Sequence, residues 1–311
     1  TVRMGLVGYR DRGDAYVTTL TTLTDDLDAV FADLMKFEAG GGGDGPESVN
    51  QALLEGVTLQ PWSDDPMSLK LIYLVGDAPP HMDYEQDTKY AETCSTAAAR
   101  GIIINTIQCG VWAETTPIWQ EIARLSEGEY FAIQQDGGVT VVATPFDEEL
   151  ATLGASMAAT ACGWGTAGEQ RMALDKAEMG DTIAASAPTA AQAERASYFI
   201  RQSGKTSALG QKELVDDVTN GRVNLEDIKD EELPPEFQGL TLDQQRAKIA
   251  EIAQEREKIQ QRIVELTEQR EAYLKNELAK LGASASEGFD AKVTDCLREQ
   301  AARKGIVYGS R

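Results

Sequence analysis

An apolar run at residues 71–75, Leu-Ile-Tyr-Leu-Val, is the strongest pattern in the chain, and Gly76 and Asp77 follow it directly. Such an uninterrupted run is typical of a strand buried on both faces of a parallel sheet. Pro79 and Pro80 cannot continue a sheet, so the strand is expected to end near Asp77. In open α/β sheets ligands bind at the carboxyl ends of the strands, which makes Asp77 a candidate site residue. Alternatively, its carboxylate only caps the turn.

Further strands and helices are predicted on both sides of this run. Residues 2–9 are predicted to form a strand, and residues 16–23, where Thr alternates with apolar side chains, the second arm of a hairpin. Residues 102–107 predict another buried strand. Helices are expected at residues 87–100, 116–125 and 145–157, with a short strand at 130–133. Because helix and strand alternate from Asp44 to Met157, the sequence predicts a mostly parallel sheet with helices on both faces.

The pattern changes after residue 154, where Ala, Gly, Ser and Thr dominate up to residue 193. With so few large apolar side chains, this stretch is interpreted as a linker or a loosely packed helical connection. The predicted organisation is therefore an α/β domain at residues 1–158, an Ala/Gly-rich linker with small helices at 159–239, and a helical extension at 240–311.

A long helix is predicted from Thr241, which forms a capping box with Gln244, to Gly282. Large apolar residues recur along it at three- and four-residue spacing, as in a coiled coil, and Arg256 and Arg270 fall on the same seam. The apolar members of this seam are Ile249, Ile252, Ile259, Ile263, Leu266 and Tyr273. Two alternatives follow: the helix pairs with residues 286–304 of its own chain, or residues 241–281 join several chains into an oligomer.

The charge of the chain limits the partners it can have. Its formal net charge is −22, and so acidic a surface repels the phosphates of nucleic acids. Acidity also serves solubility alone, or suits a protein that binds cations or basic partners. No stretch approaches the ~18 consecutive apolar residues that a membrane span requires. The four cysteines lie far apart in the sequence and show no zinc-ligand spacing.

Four segments, taken in order, resemble the motifs of a bacterial von Willebrand factor A domain. They are Val-Arg-Met-Gly-Leu-Val-Gly-Tyr-Arg-Asp-Arg-Gly-Asp at residues 2–14, Gly-Gly-Gly-Asp-Gly-Pro-Glu-Ser at 41–48, Leu-Val-Gly-Asp-Ala-Pro-Pro-His at 74–81, and Ile-Ile-Ile-Asn-Thr-Ile-Gln-Cys-Gly at 102–110. The resemblance covers residues 2–157. It implies a doubly wound, mostly parallel sheet that binds protein partners through a divalent metal ion, at a metal-ion-dependent adhesion site.

Three loops hold the metal in that family, and this chain matches them incompletely. The first, Asp-x-Ser-x-Ser, belongs before residues 2–9 and is absent from the chain. We therefore expect an N-terminal segment that has been removed or that another polypeptide supplies. The family's threonine corresponds to Gly45 and its aspartate to Asp77. Asp44 and Asp77 are the metal ligands predicted here; they could hold Mg²⁺ or Ca²⁺ through water molecules, with weak or lost binding.

His81 is the only histidine in the chain and follows Asp77 by four residues. The two suggest a metal-binding or hydrolytic pair, and the alternative is a loop histidine that hydrogen-bonds its own turn. The fold that the resemblance implies also brings Cys94 towards Cys109. A disulfide between them is a further prediction, provided that their Cα atoms come within about 5.5 Å.

The predicted function is non-enzymatic: a von Willebrand A-like head with a helical stalk that binds or scaffolds proteins in a bacterial envelope or surface assembly. The alternatives are a metal-dependent adhesion module, a structural subunit whose head has lost its metal, and a hydrolase using Asp77 and His81. The resemblance, together with the acidic, thiol-poor chain, predicts a periplasmic, cell-surface or secreted protein. Partner recognition is expected on three loops, whose candidate residues are Asp11, Arg12, Asp14, Gly45, Glu47, Pro79, Pro80, His81 and Asp83.

Overall fold

The computed structural model describes residues 2–41, 43–135, 142–201, 204–280 and 289–307. The chain forms two compact units that interleave in sequence. The sheet unit comprises Gly5–Leu23, Asp33–Thr140 and Leu278–Arg311, and the helical unit comprises Thr1–Met4, Thr24–Ala32 and Val141–Glu277. This division differs from the three consecutive domains that the sequence predicts. The predicted helix end at Gly282 and residues 286–288 of the predicted returning arm lie outside the described residues.

The described chain contains five strands, eleven α-helices and two single 3₁₀ turns. In chain order the strands and helices are β1 (Met4–Tyr9), β2 (Thr18–Thr24), α1 (Leu27–Leu34), α2 (Val49–Thr58), β3 (Lys70–Gly76), α3 (Tyr90–Ala99), β4 (Ile102–Cys109), α4 (Thr115–Leu125), β5 (Tyr130–Ile133), α5 (Asp147–Ala159), α6 (Ala167–Ser186), α7 (Thr189–Phe199), α8 (Lys205–Leu209), α9 (Leu214–Thr219), α10 (Leu242–Lys280) and α11 (Phe289–Arg303). The 3₁₀ turns are Leu225–Asp227 and Asp230–Glu232.

The central strands pair as the sequence predicts. β3 and β4 are parallel neighbours, in a register that runs from Lys70 opposite Ile102 to Gly76 opposite Gln108. β5 pairs in parallel with the other edge of β4. β1 and β2 form a separate two-stranded sheet. The α/β class and the parallel pairing are therefore confirmed, whereas a single doubly wound sheet stays a prediction.

Helices cover both faces of β4. Successive side chains of this strand point to opposite faces of the sheet, and each set contacts different helices. On one face Ile102 and Ile104 join a core with side chains of α2, α3 and α4, including the fully buried Trp119. On the other face Asn105 exchanges two side-chain amide hydrogen bonds with Gln300 of α11, at 3.1 and 2.8 Å. The helix α11, predicted as a returning arm for the long helix, therefore packs on the sheet.

The segment interpreted as a linker is a packed set of helices. α6 alone is 20 residues long, with a complete capping box at Thr166 and Glu169. Ala193 and Ala196 of α7 are fully buried, and a Cβ added at Gly154 of α5 would lie 2.9 Å from the Cβ of Ala196. Small residues let two helices approach closely. Of the two interpretations, a linker or a helical connection, the described residues form helices, and small side chains let α5 and α7 pack closely.

The long helix α10 begins with the predicted capping box. The Thr241 backbone N–H donates to the Gln244 side chain at 2.9 Å, and the Thr241 hydroxyl accepts from the Gln244 N–H at 3.4 Å. Ile259, Ile263 and Leu266 share a core with side chains of α5 and α7. The apolar seam is thus buried within the helical unit against α5 and α7. Neither predicted alternative, pairing with residues 286–304 or with another chain, includes these two helices. Among the described helices, none is both long and apolar enough to cross a membrane.

The two arginines on the seam of α10 each reach a buried carboxylate. Arg256 donates to both oxygens of Glu213, at 2.9 and 2.7 Å, and to the Thr160 hydroxyl at 2.9 Å. Arg270 donates to Asp147 at 2.8 Å. All four charged side chains of these two pairs are less than a tenth exposed. The interruptions of the apolar pattern are therefore buried ion pairs inside the helical unit.

The pair of Asp147 and Arg270 is expected to make stability depend on acid pH. Burial raises the pKa of Asp147, but hydrogen bonds from Arg270 and Thr144 and the charge of Arg270 outweigh it, so the pKa lies below its usual value. A depressed carboxyl pKa stabilises the fold above the unfolded-state pKa of about 3.9, and this contribution is lost as pH falls through the folded-state pKa.

We therefore expect Asp147→Asn to destabilise the helical unit at pH 7 and to differ less from the wild type near pH 3. Urea denaturation at both pH values measures the difference. Asp175→Asn is the matched control, because Asp175 forms an exposed ion pair with Arg171 on α6, and such pairs contribute about 0–1 kcal/mol. An equal difference between wild type and Asp147→Asn at both pH values would contradict the expectation.

Candidate functional site

Asp77 lies where the sequence predicts, directly after β3 at the carboxyl edge of the parallel sheet. Its backbone carbonyl accepts a hydrogen bond from the Thr115 hydroxyl at 2.6 Å, and its Oδ2 accepts one from the Gln135 side chain at 2.7 Å. Close by, the Tyr9 hydroxyl donates to the carbonyl of Val75 at 2.9 Å. Burial and then the charge of Asp77 raise the pKa of Tyr9. Asp77 is therefore anchored by residues that follow β4 and β5.

Gly45 stands where the family that the sequence resembles has a threonine, and its surroundings explain the glycine. A Cβ added at this position would lie 2.3 Å from Cη2 of the Trp112 ring. Any larger side chain therefore requires the indole to move. Gly42, in the same glycine-rich loop, lies outside the described residues.

Three loops are joined by backbone hydrogen bonds at this edge. The Glu47 N–H donates to the carbonyl of Pro79 at 2.9 Å, and the His81 N–H donates to the carbonyl of Glu47 at 3.0 Å. The Ser48 N–H donates to the carbonyl of Arg10 at 3.1 Å. These bonds fix the loop after β1, the loop before α2 and the loop after β3 against one another. Side chains far apart in sequence are thereby brought together.

The side chains so assembled are Asp11, Asp44 and His81, one from each loop. One ligand-type atom from each lies within 4.8 Å of the other two. His81 Nε2 is 3.3 Å from Asp11 Oδ2 and 3.5 Å from Asp44 Oδ1. His81 is only 3% exposed, whereas the side chain of Asp44 is 62% exposed. The cluster therefore has a buried imidazole at its base and an opening to solvent on the side of Asp44.

A second layer of residues fixes the orientation of the cluster. The imidazole Nδ1 of His81 is 2.8 Å from Asp83 Oδ1, and the ring stacks on Tyr84 with 4.0 Å between centroids. The Tyr84 hydroxyl donates to the Asp11 carboxylate at 3.0 Å, and the Ser48 hydroxyl donates to it at 3.1 Å. His81 Nε2 is buried and has no hydrogen-bond partner among the described residues.

The pKa shifts in the cluster follow from its concentrated negative charge. Burial lowers the pKa of His81. The hydrogen bond to Asp83 and the charges of Asp11, Asp44 and Asp83 raise this pKa by more than burial lowers it, so the net shift is upward. Burial raises the pKa of Asp11, yet hydrogen bonds from the Arg12 N–H, Tyr84 and Ser48 lower it overall. Burial, then the charges of nearby aspartates, raise the pKa of Glu47. The surroundings therefore favour a bound positive charge.

The structure groups the predicted site residues differently from the sequence analysis. Asp44 is predicted to share a cation with Asp77, but its neighbours in the structure are Asp11 and His81, and Asp77 is not a member of that group. The expectation that His81 hydrogen-bonds its own turn holds for Nδ1 and not for Nε2.

The remaining predicted loop residues support this arrangement. Arg12 pairs with Asp87 and lies over the Tyr84 ring, 4.0 Å from its centroid. Asp14 accepts from the Asp11 N–H at 3.3 Å, and Glu47 and Pro80 form an isolated parallel bridge. Sequence reasoning missed the roles of Ser48, Trp112 and Gln135. No local signal marks them, because each acts through a contact that is distant in sequence.

The cysteines are free thiols, so the predicted disulfide between Cys94 and Cys109 is not formed. Cys94 lies on the inner face of α3, where its thiol contacts the carbonyl of Ile122 in α4 at 3.7 Å. Burial raises the pKa of Cys94 to about 12. Burial also raises the pKa of Cys109, and the charge of Asp77 raises it further. The described thiols are therefore protonated at neutral pH.

No model of a known protein family matches this chain, and no curated protein matches it. The resemblance to von Willebrand factor A domains therefore rests on the four sequence motifs and stays a prediction.

Proposed function

We propose that this protein is a non-enzymatic binding module that recognises a protein partner through the loops at the carboxyl edge of its sheet. We call these loops the loop face; they comprise residues 10–14, 43–47, 79–84 and 110–114. The observation that carries the proposal is a set of exposed apolar side chains on this face: Val111 is 95% exposed, and Met82 and Trp112 are also exposed. Large apolar side chains exposed together on a soluble protein mark interaction sites.

Charge on the loop face indicates the kind of partner. Asp44 and Asp83 are exposed carboxylates on this face, and the chain carries a net charge of −22. Complementary charge favours encounter and excludes partners of like charge. A partner surface with an apolar centre and a basic rim therefore suits the loop face.

The architecture supports a von Willebrand A-like head as part of this proposal. β3, β4 and β5 are parallel, helices cover both faces of β4, and the Tyr9 hydroxyl links the end of β1 to the backbone of β3. We infer that the two sheets are parts of one doubly wound arrangement. The proposed location, in a bacterial envelope or surface assembly, rests on the sequence resemblance and on the acidic, thiol-poor chain.

The environment of His81 favours binding over the hydrolytic alternative. A general base must face the group whose proton it removes. His81 Nε2 faces the carboxylates of Asp11 and Asp44, and Nδ1 is taken by Asp83. The groups beside both ring nitrogens are thus carboxylates, and not the hydroxyl or thiol that a general base would activate.

Photo-crosslinking tests the proposal. With p-benzoylphenylalanine at position 111, we expect ultraviolet light to yield one adduct of defined mass in the native extract. Excess unlabelled wild-type protein should suppress the adduct, whereas the variant Met82→Asp/Trp112→Asp should not. The same probe at Met172, an exposed position of α6, is the matched control. Equal labelling from both positions, or equal suppression by both competitors, would rule out the loop face as the binding surface.

A further inference from the structure

We propose that Asp11, Asp44 and His81 bind one divalent transition-metal ion of the Zn²⁺ class. This site differs from the Asp44 and Asp77 pair predicted from the sequence, and it does not depend on the proposed protein-binding function. Its ligands would be His81 Nε2 and one carboxylate oxygen each from Asp11 and Asp44.

The first support is the unpartnered nitrogen. His81 is 97% buried (3% exposed), and its Nε2 has no hydrogen-bond partner among the described residues. A buried polar atom without a partner costs about 1–3 kcal/mol. Two carboxylate oxygens lie 3.3 and 3.5 Å from this nitrogen, yet neither forms a hydrogen bond with it. A cation between the three atoms would satisfy the nitrogen and both carboxylates at once.

The second support is the geometry of the three atoms. Zn²⁺ binds histidine nitrogen and carboxylate oxygen at about 2.0–2.2 Å, in tetrahedral sites. Two ligands of a tetrahedron with such bonds lie roughly 3.3–3.6 Å apart. The observed nitrogen–oxygen distances of 3.3 and 3.5 Å fall in this range. Both carboxylates therefore already stand at the separation from the imidazole nitrogen that a single ion requires.

The third support is the hydrogen bonding behind the ligands. Metal-binding histidines almost always donate their other ring N–H to a carboxylate, which fixes the tautomer and the ring orientation. Asp83 lies 2.8 Å from His81 Nδ1 and fills this role. With the proton on Nδ1, the lone pair of Nε2 points at Asp11 and Asp44. Asp11 is itself held by the hydroxyls of Tyr84 and Ser48.

The donor set decides the class of ion. Mg²⁺ and Ca²⁺ take oxygen ligands, whereas an imidazole nitrogen suits Zn²⁺ and its transition-metal neighbours. Two carboxylates balance the charge of a divalent ion. Asp44 is 62% exposed, so a fourth ligand can reach the ion from solvent. The sequence resemblance implies Mg²⁺ or Ca²⁺ at Asp77, whereas this donor set favours a transition-metal ion at Asp11, Asp44 and His81.

Nuclear magnetic resonance tests the proposal directly, because His81 is the only histidine. In protein labelled with ¹⁵N-histidine and freed of metals by chelation, one imidazole gives one pair of ring nitrogen signals. We expect one equivalent of Zn²⁺ to shift Nε2 strongly while Nδ1 stays protonated, and Mg²⁺ or Ca²⁺ to cause no such shift. Zinc bound elsewhere on the acidic surface or by a thiol would leave the Nε2 signal unchanged.

Calorimetric titration with Zn²⁺ adds the affinities of variants that leave the buried histidine intact. Asp83→Asn is expected to weaken binding by about 10–100-fold, the usual effect of losing an outer partner. Asp44→Asn should weaken it at least as much. Asp64→Asn, an exposed carboxylate before β3, is the matched control and should bind like the wild type. The proposal is overturned if Nε2 does not respond to Zn²⁺, or if Asp44→Asn binds as tightly as Asp64→Asn.

Discussion

Replacing Arg256 with methionine is expected to lower the free energy of unfolding of the helical unit by about 3–5 kcal/mol. Glu213 would then keep a buried negative charge without its cation. Both its oxygens already accept backbone hydrogen bonds, from Cys162 at 2.9 Å and Asp216 at 2.6 Å, so the carboxylate cannot turn towards solvent without breaking them. The loss should therefore exceed that of an ordinary surface substitution.

The size of this effect depends on the unpaired charge, which a double variant tests. Arg256→Met combined with Glu213→Leu removes both charges, and we expect it to recover a large part of the stability, since apolar replacement of a buried pair is often neutral. Far-UV circular dichroism in urea measures both variants. Arg262→Met, on the same helix as Arg256, is the control, because Arg262 forms a half-exposed pair with Glu149 of α5. A loss below 1 kcal/mol in Arg256→Met would show that the pair is not structurally important.

Replacing Trp119 with alanine is expected to destabilise the sheet unit by about 3–5 kcal/mol. Trp119 is fully buried beneath β3 and β4 and contacts side chains from α2 and α3 in one core. No neighbouring side chain can fill so large a cavity without leaving its own contacts. Hydrogen exchange of the β4 amides in urea reports this unit separately from the helical one.

Two further variants separate the ring volume of Trp119 from its N–H group. The indole nitrogen is buried and has no partner among the described residues. Trp119→Phe keeps most of the volume and removes that donor, so it should cost clearly less than alanine. Val111→Ala, at a 95% exposed position, should change stability by no more than about 0.5 kcal/mol. Similar losses in all three variants would contradict the packing shown for Trp119.

The sequence predicts those parts of the fold that depend on local signals. The apolar runs at β3 and β4 are recognisable because a strand buried on both faces needs no polar alternation. The capping box at Thr241 is equally local, since its two partners are three residues apart. The partners of the long helix could not be predicted in this way. Its apolar seam requires an apolar surface to pack against, and several helices of the chain have such a surface.

The same limit applies to the candidate site. Asp77 and the loops around it are predictable, because ligands gather at the carboxyl ends of parallel strands. That Asp44 meets Asp11 and His81 depends on backbone hydrogen bonds between three loops, which no residue pattern specifies. The Ala-rich segment is difficult to interpret from sequence for a different reason. Small side chains weaken the signal for a core, although they are what lets α5 and α7 pack closely.

The amide pair of Asn105 and Gln300 has a consequence for how the protein is made. The two residues are 195 positions apart, so a ribosome must synthesise the whole segment between them before Asn105 can meet its partner. Contacts between such distant residues slow folding. The sheet unit therefore has to remain partly unfolded while the whole helical unit emerges, with one face of β4 uncovered. Folding of this unit is expected to finish only once α11 has left the ribosome.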